Sequence, residues 1–359
     1  MTLDDLEKLV GEAIDPRDLF GEDVAGNLER FRAICQPDRN PGQEGRAEAV
    51  LNALEQFARF TPEDVEAIAR AEAVFRSLPR AGGGERPAGP PVTVASPRRV
   101  YTLVERLGTG DLSDVYRASS GGRDYILKVS RVSEGAHLLE AEHRALIALA
   151  TRAGDAHNRR LFPTPAESFP VRDVFPKRVN VALFEPGHYT LEQVHASHPA
   201  LDGRHLAWIF KRLLTALGFA HRCGLVHGAV LPPHVLVHAE GHGLKLVGWA
   251  HTVETGQCLL TGSARFGDWY PPEVRRKESA GPATDICLAA RCLVYLAGGD
   301  PVSDRMPDSL PRAMGGFLRS CLLEGPRMRP DDAWGLLDEF DAMLRDLYGA
   351  PKYQRLEMP

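Results

Sequence analysis

The sequence has no excess of basic residues and no long hydrophobic run. Its 359 residues include 43 Lys and Arg against 48 Asp and Glu, which gives a formal net charge of −5. That balance provides no general attraction to phosphate backbones or acidic lipids, so we expect no nucleic-acid and no membrane partner. The longest apolar stretches, Leu213–Phe219 and Leu288–Leu296, fall well short of the ~20 residues that span a bilayer. Because the acidic N-terminus also lacks the basic region of a signal peptide, we expect a soluble, cytoplasmic protein.

Cysteine is sparse, and none of the six residues has a C-x-x-C partner. They are Cys35, Cys223, Cys258, Cys287, Cys292 and Cys321. This spacing argues against a zinc site and predicts reduced, mostly packed thiols. What the chain does contain is 43% hydrophobic and 25% charged residues, which is typical of a protein that buries real cores. Its length predicts about two domains.

A stretch rich in proline and glycine divides the chain unevenly. Residues 79–98 form this stretch, which can hold neither a helix nor a strand ladder, and we predict a linker. Residues 1–78 before it predict a small all-α domain. Residues 99–349 begin with short β-rich runs and continue with long helical patterns, which predicts a two-lobed α+β domain. Residues 350–359 form a C-terminal tail.

The all-α prediction depends on apolar residues that recur at helix spacing. The three inward-facing sets are Leu3, Leu6 and Val10, then Leu28, Phe31 and Ile34, then Val50, Leu54 and Phe57. Thr61, followed by a proline and two acidic residues, predicts the N-terminus of a last helix with Phe75 on its inward face.

A turn between the second and third of these helices carries the tripeptide Gln36-Pro37-Asp38. It resembles the His-Pro-Asp loop of J-domains, which joins the second and third helices of that family, and the likeness covers about residues 10–77. Gln36 stands where the family has His, and a J-domain stimulates its chaperone ATPase through that tripeptide. The resemblance therefore implies a docking module with a chaperone ATPase as a candidate partner. An ordinary helix–helix turn is the alternative.

The larger domain opens with a glycine pair, a lysine in an apolar strand and a glutamate on a helix. Gly108 and Gly110 follow a predicted strand, and such a pair is typical of a β-hairpin turn as well as of a phosphate-binding loop. Lys128 lies in an apolar strand, where its ammonium group needs a carboxylate partner. Glu142 is the candidate, because it shares the inward face of its helix with Leu146.

These features occur in the order and approximate spacing of protein kinases, and the resemblance spans about residues 99–348. Further landmarks in the family's order are the sequences around His227, Gly248, Glu273, Asp285 and Arg329. The resemblance implies a two-lobed protein kinase-like domain. It also implies that Glu273 pairs with Arg329, and that Asp285 begins the family's central helix.

The residues that kinases use for phosphoryl transfer are replaced in this sequence. The resemblance places Ala229 at the catalytic Asp, His234 at the Asn that ligates one metal ion, and Gly248 at the Asp that holds the other. Ala and Gly side chains offer no acceptor, and imidazole is a poor ligand for Mg²⁺, which prefers oxygen. Loss of a positioned base alone forfeits ~10²–10⁴ in rate. The resemblance thus implies a pseudokinase with no catalytic residue and no metal ion.

Residues that support the kinase architecture are retained. The resemblance places Leu146, His227 and Trp249 in an internal spine that joins the two lobes, with Asp285 anchoring it from below. Trp249 keeps a large aromatic side chain at its position, which contributes packing. We therefore expect an ordered, closed domain.

Two interpretations of the first-lobe residues stay open. Lys128 and Glu142 form either a structural ion pair that clamps strand to helix or, together with Gly108 and Gly110, part of a nucleotide site. We favour the structural pair, so we expect no cofactor, with ATP as the alternative.

Three functions follow as hypotheses. The first is a catalytically inactive scaffold or allosteric partner of other proteins in a bacterial signalling or stress-response complex. The second is a nucleotide-binding sensor, or an atypical phosphotransferase or nucleotidyl transferase, whose rearranged metal site would use Asp268 and Glu240. The third is a co-chaperone adaptor, which depends on Gln36.

Three regularly spaced histidines are weak metal candidates. His234, His238 and His242 recur every four residues. The kinase resemblance distributes them over a loop, a strand end and a hairpin, so we do not expect them to converge on a metal ion.

Overall fold

The computed structural model describes residues 1–12, 19–21, 23–58, 91–131, 133–154, 156–172, 176–259 and 261–359. The chain divides into two compact units, one built mainly on Met1–Pro79 and the other mainly on Gly89–Val171 and Lys177–Pro359. The helix predicted from Thr61 to Phe75 and the linker as far as Pro90 lie outside the described residues.

The described part of the first unit is helical. Its helices are Leu3–Glu12 (α1), Val24–Ile34 (α2) and Glu44–Phe57 (α3). Asp23 begins α2, because its carboxylate accepts a hydrogen bond from the backbone N–H of Gly26 at 2.9 Å. The side chains buried between these helices are Leu3, Leu6, Leu19, Phe20, Phe31, Cys35, Ala47, Val50 and Leu54. They repeat at helix spacing, so each helix places one apolar face in a shared core.

A six-stranded sheet forms the first lobe of the second unit, with strand order β1-β2-β3-β4-β6-β5. Its strands are Thr93–Ala95 (β1), Val100–Thr109 (β2), Ser113–Ser120 (β3), Arg123–Ser130 (β4), Pro165–Arg172 (β5) and Pro176–Leu183 (β6). Between β4 and β5 lie the helices Ser133–Arg152 (α4) and Ala156–Arg159 (α5). β1 forms inside the segment predicted as linker. The run Val92–Ala95 contains no proline, so its backbone can pair with β2.

Strand register determines which side chains share the face that α4 covers. Lys128 of β4 lies opposite Val115 of β3 on one side and Asn180 of β6 on the other. Residues directly opposite in an antiparallel pair point to the same face, while the buried Leu127 next in sequence points to the other. The register therefore brings Asn180 beside Lys128.

The second lobe is mainly helical. Its helices are Leu191–Ser197 (α6), Gly203–Arg222 (α7), Pro272–Arg275 (α8), Pro282–Leu296 (α9), Arg312–Cys321 (α10) and Ala333–Tyr348 (α11). Its short strands are His188–Thr190 (β7), Leu225–Val226 (β8), Val235–His238 (β9), Gly243–Leu246 (β10) and Val253–Glu254 (β11). Helix α9 is buried along almost its whole length, because its sequence is apolar on every side. Within the described ranges, no helix is long and apolar enough to cross a membrane.

The C-terminal residues 350–359 contain neither helix nor strand and pack on the second lobe. Leu356 is buried in the core of that lobe. Arg355 contacts Glu240 at 3.1 Å. Glu240, which was a candidate carboxylate for a rearranged metal site, therefore binds the tail.

Candidate functional site

The first-lobe lysine and glutamate form an ion pair. Lys128 Nζ lies 2.9 Å from Glu142 Oε1, and the Glu142 side chain is buried. The other carboxylate oxygen accepts a hydrogen bond from Asn180 Nδ2 at 3.1 Å, and the same amide donates to the Leu139 carbonyl at 2.7 Å. Both oxygens of the buried carboxylate are thus partnered, which a stable buried charge requires.

Gly108 lies near the end of β2, and Gly110 lies in the turn between β2 and β3. Gly110 donates its N–H to the Ser113 carbonyl at 2.9 Å. Neither Gly108 nor Gly110 has a positive φ, and a Cβ on Gly108 would meet no atom within 4 Å. The backbone conformation therefore does not require glycine at position 108. Because Gly108 has no side chain, a ligand could approach its backbone closely.

The tip of this turn contacts the segment that follows Trp249 along the chain. Asp111 accepts a hydrogen bond from the Ser263 hydroxyl at 2.6 Å, and the backbone N–H of Ser263 donates to the Tyr270 hydroxyl at 3.0 Å. These contacts link the glycine turn of the first lobe to the second lobe.

Asp285, in the first turn of α9, holds the loop that begins at His227. Its carboxylate accepts hydrogen bonds from the backbone N–H groups of His227 at 2.7 Å and Gly228 at 2.9 Å. His221 Nε2 lies 3.0 Å from the same carboxylate. Asp285 is fully buried, so these donors supply the solvation that the charge has lost.

His227 joins this loop to the turn at Trp249. Its Nε2–H donates to the Val247 carbonyl at 2.9 Å, and its Nδ1 accepts from the Ala229 N–H at 3.1 Å. Burial lowers the pKa of His227, which keeps this neutral tautomer. Its ring meets the Trp249 ring edge to face at 4.5 Å. Leu146 of α4 and Trp249 belong to one apolar core, so the core runs from α4 into the second lobe.

The side chain of His234 fills the space beside Gly248. Gly248 has φ +81, and a Cβ there would lie 2.5 Å from Cγ and Cδ2 of the His234 ring. The ring is fixed because its Nδ1–H donates to the Ala229 carbonyl at 2.8 Å. An acidic side chain at position 248 would therefore collide with His234.

The donor set at these three positions does not fit the Mg²⁺ that the kinase fold family uses. Ala229 and Gly248 have no side-chain oxygen, and His234 presents a neutral imidazole at a site that Mg²⁺ would fill with oxygen ligands. In the parts of the chain that the structure describes, no group of three or more His, Cys, Asp or Glu side chains is arranged to hold a metal ion.

Because the His234 ring lies against Gly248, an aspartate at position 248 should clash with it. Gly248→Asp should lower the free energy of unfolding by about 2–3 kcal/mol, from left-handed backbone strain plus overpacking. Gly256→Asp is the matched control, since Gly256 has φ +91 with nothing within 4 Å of a Cβ, and should cost only the strain of about 1 kcal/mol. Adding His234→Ala to Gly248→Asp should recover about 1–2 kcal/mol in a urea-denaturation cycle. Equal costs for the two aspartates would contradict the predicted conflict.

Two histidines of the cleft, the partly buried His234 and the buried His251, predict a pH-dependent stability. The pKa of His234 is lowered to about 3 and that of His251 to about 4, chiefly by burial and in part by the nearby His227 and Lys128. Because the unfolded imidazoles bind protons below about pH 6.5, stability is complete above that pH and falls as the pH drops towards the folded pKa values.

The two histidines together should remove about 2–3 kcal/mol from the free energy of unfolding between pH 6 and pH 5. Urea denaturation at both pH values measures the loss. His234→Asn should halve it, whereas an unchanged slope in that variant would contradict a neutral His234 in the folded state.

Glu273 and Arg329 form a fully buried ion pair in the second lobe. Arg329 Nη2 lies 2.7 Å from Glu273 Oε2, and both side chains are at most 1% exposed. The other oxygen of Glu273 accepts from the Thr284 hydroxyl at 3.1 Å, and Arg329 Nη1 donates to the Ala283 carbonyl at 3.3 Å. The pair joins α8 to α9 and to the loop before α11.

The tripeptide of the first unit is exposed. Gln36, Pro37 and Asp38 all face solvent at a short 3-10 turn. Asn40 holds the loop, since its Nδ2 donates to the carbonyls of Ile34 at 2.7 Å and Gln36 at 3.0 Å. The side chains of the tripeptide are therefore accessible to a partner.

The three regularly spaced histidines bind separate partners. His234 bonds to Ala229, His238 Nδ1 accepts from the backbone N–H of Gly241 at 2.9 Å, and His242 Nε2 donates to the Gln354 carbonyl at 2.7 Å. The structure therefore does not bring the three histidines into one site.

Asp268, the other candidate carboxylate for a rearranged metal site, is exposed on a 3-10 turn.

Two cleft contacts escaped the sequence analysis. Asn180 lacks a motif, and only the β4–β6 register reveals that it faces Glu142. The Ser263–Asp111 contact joins residues far apart in the chain, and nothing in the local pattern of either residue indicates it.

Comparison with known proteins gives the fold. No protein-family model matches the chain. A solved structure titled "Crystal structure of BubR1 kinase domain" superposes with a TM-score of 0.56 at 14% identity, over 80% of this chain and 95% of that chain. The fold is that of a protein kinase domain. This confirms the predicted kinase-like fold with mixed helix and sheet.

Curated relatives carry kinase names. The chain is 26% identical over 268 residues to "Probable serine/threonine-protein kinase PkwA" of Thermomonospora curvata, covering 68% of this chain and 34% of that protein. It is 31% identical over 96 residues to "Probable serine/threonine-protein kinase mkcC" of Dictyostelium discoideum, covering 27% and 11%. The matches thus span about a third and about a tenth of those proteins.

Proposed function

We propose that this chain is a pseudokinase, a kinase-like domain that transfers no phosphate and acts as a scaffold or allosteric partner. The observation that carries the proposal is the His234 ring, which packs where a side chain at Gly248 would have to lie. A metal-binding carboxylate is thus missing from position 248, and the space for one is filled. Phosphoryl transfer depends on metal ions held against the phosphates, so this cleft has lost the main contribution to catalysis.

The contacts that remain support a shape-keeping role. Asp285 fixes the loop at His227, and Glu273 pairs with Arg329 inside the second lobe. Buried, paired charges of this kind favour one arrangement of the chain, because alternatives would leave a charge unpaired. A rigid domain of this type can present a constant surface to other proteins.

The first unit would supply a second docking surface. Its exposed tripeptide Gln36-Pro37-Asp38 resembles the partner-binding loop of J-domains, and we place the whole chain in a cytoplasmic bacterial signalling or stress-response complex. In the co-chaperone alternative, the chain stimulates a chaperone ATPase. The rate of that ATPase, measured with the wild-type chain and with Gln36→His, distinguishes the docking role from the co-chaperone role. The co-chaperone role predicts that the wild-type chain stimulates the ATPase. The docking role predicts that the wild-type chain does not stimulate it, whether or not Gln36→His does.

A nucleotide sensor is the second candidate. Two observations favour it: the ion pair of Lys128 and Glu142, and a glycine at position 108 that the backbone conformation does not require. The kinase names of the relatives point in the same direction. A thermal-shift titration distinguishes the candidates, since a nucleotide at 100 times its Kd adds ~2.7 kcal/mol of stability. A shift that Lys128→Met abolishes supports the sensor, and no shift supports the scaffold.

Phosphate transfer tests the proposal itself. The purified chain is incubated with labelled ATP, Mg²⁺ or Mn²⁺, and generic protein acceptors. We expect no incorporation into the chain or the acceptors. Incorporation that Lys128→Ala abolishes would show an active kinase and overturn the proposal.

A further inference from the structure

A cavity of about 510 Å³ lies in the second lobe and shares no residue with the kinase-like cleft. Helices α7 and α11 form two of its walls, and the chain from Gly349 to Gln354 contributes a third. The third wall thus belongs to the segment that leads out of α11 into the tail.

Positive charge dominates the lining of this cavity. Its cations are Arg204, Lys211, Arg212, Arg345 and Lys352, and the carboxylates in the same lining are those of Asp338 and Asp341. Asp341 is shared by Lys211 and Arg345, which both contact it. The Arg212 guanidinium donates to the backbone carbonyl of His242. This carbonyl is uncharged, so it does not neutralise the positive charge of Arg212. The cavity therefore has a net positive charge that an anionic ligand would balance.

Apolar side chains supply the rest of the surface. They are Ala207, Trp208, Leu337, Leu344 and Tyr348. Trp208 is held by its stacking on His242, with ring centroids 4.3 Å apart and planes 6° from parallel. The Arg204 guanidinium lies 4.5 Å from the centre of the Tyr348 ring. Cationic groups are thus fixed next to an apolar surface, as an amphipathic ligand requires.

We propose that this cavity binds a small organic acid with an apolar body, whose carboxylate is attracted by the positive charges of Arg204 and Arg212. The apolar body packs between Trp208 and the α11 side chains Leu337 and Leu344. The volume of the cavity lies within the ~300–1,000 Å³ of small-molecule sites. This inference does not rest on the pseudokinase proposal, because the two sites share no residue.

Ligand binding at this site would act on the C-terminal tail. His242 connects the cavity to the tail, since its Nε2 donates to the Gln354 carbonyl at 2.7 Å and its ring lies 4.5 Å from that of Tyr353. A ligand that bridges α7, α11 and the wall from Gly349 to Gln354 binds only when the tail is seated. It therefore stabilises the seated tail by mass action.

Calorimetric titration of the full chain with decanoate tests the proposal, with acetate and decan-1-ol as probes that lack the apolar body or the charge. We expect saturable binding of decanoate and at least tenfold weaker binding of both other probes. Arg204→Gln and Arg212→Gln should each weaken decanoate binding about tenfold or more, since each removes a positive charge from the cavity lining. The matched control Arg312→Gln, at an exposed arginine of the same lobe, should leave it unchanged.

Hydrogen exchange gives the second measurement. Decanoate should slow backbone exchange over residues 349–356 in the wild-type chain and not in Arg212→Gln. Any of three results would overturn the proposal: no saturable decanoate binding, equal binding of decan-1-ol, or unchanged binding in both arginine variants. Because none of these measurements involves ATP, their outcome is independent of the phosphate-transfer assay.

Discussion

Asp285→Ala should lower the free energy of unfolding of the second unit by about 3–5 kcal/mol. The substitution removes the acceptor for the backbone N–H groups of His227 and Gly228, and also for His221. Each buried donor left without an acceptor costs about 1–3 kcal/mol. Urea denaturation measures the loss, and tryptophan fluorescence reports on the correct unit, because all four tryptophans lie beyond residue 200.

Asp285→Asn is the graded control for this prediction. The amide keeps one oxygen acceptor and loses the charge, so the loss of stability should fall between wild type and Asp285→Ala. A cost below about 1 kcal/mol for the alanine variant would show that water or a local shift replaces the carboxylate. In that case Asp285 would not be the anchor of the loop.

Glu273→Ala should destabilise the second unit by about 3–5 kcal/mol, because it leaves the Arg329 guanidinium buried without a counter-charge. Both side chains are almost completely removed from water, so solvent does not screen the loss. Arg329→Ala should cost a similar amount for the converse reason. The double variant should cost less than the sum of the two, since it leaves neither charge unpaired.

An exposed ion pair in the same lobe is the matched control. Arg276 lies 3.7 Å from Glu324, and their side chains are 62% and 80% exposed. Glu324→Ala should therefore change stability by no more than about 0.5 kcal/mol. A similar loss of stability for Glu273→Ala and Glu324→Ala would mean that burial does not determine how much the Glu273–Arg329 pair contributes to the free energy of unfolding.

Sequence patterns predicted the fold because they encode local geometry. The apolar alternation of the first-lobe strands and the 3.6-residue repeat of α4 and α7 are properties of short segments. The order of the landmarks then indicated a protein kinase-like domain, which the sheet and the solved kinase domain confirm. Helix periodicity likewise placed Glu142 on the face of α4 that meets Lys128.

The parts that sequence did not predict depend on contacts between distant segments. The hydrogen bond of Asn180 to Glu142 follows from the β4–β6 register, which no local pattern specifies. The block that His234 forms at Gly248 requires the positive φ of that glycine together with the ring's bond to Ala229. Composition also assigned Thr93–Ala95 to the linker, because these three residues lie within a stretch rich in proline and glycine. Their pairing with β2 depends on a neighbouring strand and not on composition.

The proposed loss of phosphoryl transfer and the retained architecture have one physical basis in this cleft. The replaced positions are those where an oxygen ligand would have faced the metal ions, and His234 now fills that space with a neutral ring. The retained residues Glu273, Asp285 and Arg329 are buried, and their charges are paired or hydrogen-bonded, so their replacement would destabilise the folded state directly.

Metal dependence of ATP binding is the measurement that tests this account most directly. The full chain is titrated with ATP by calorimetry in EDTA and again with excess Mg²⁺, and Mn²⁺ resonance spectra follow the ion itself. The account predicts that neither ion strengthens ATP binding and that the Mn²⁺ spectrum with ATP is unchanged by the protein. Tightening by Mg²⁺ of tenfold or more, with Mn²⁺ immobilised on the protein, would contradict it.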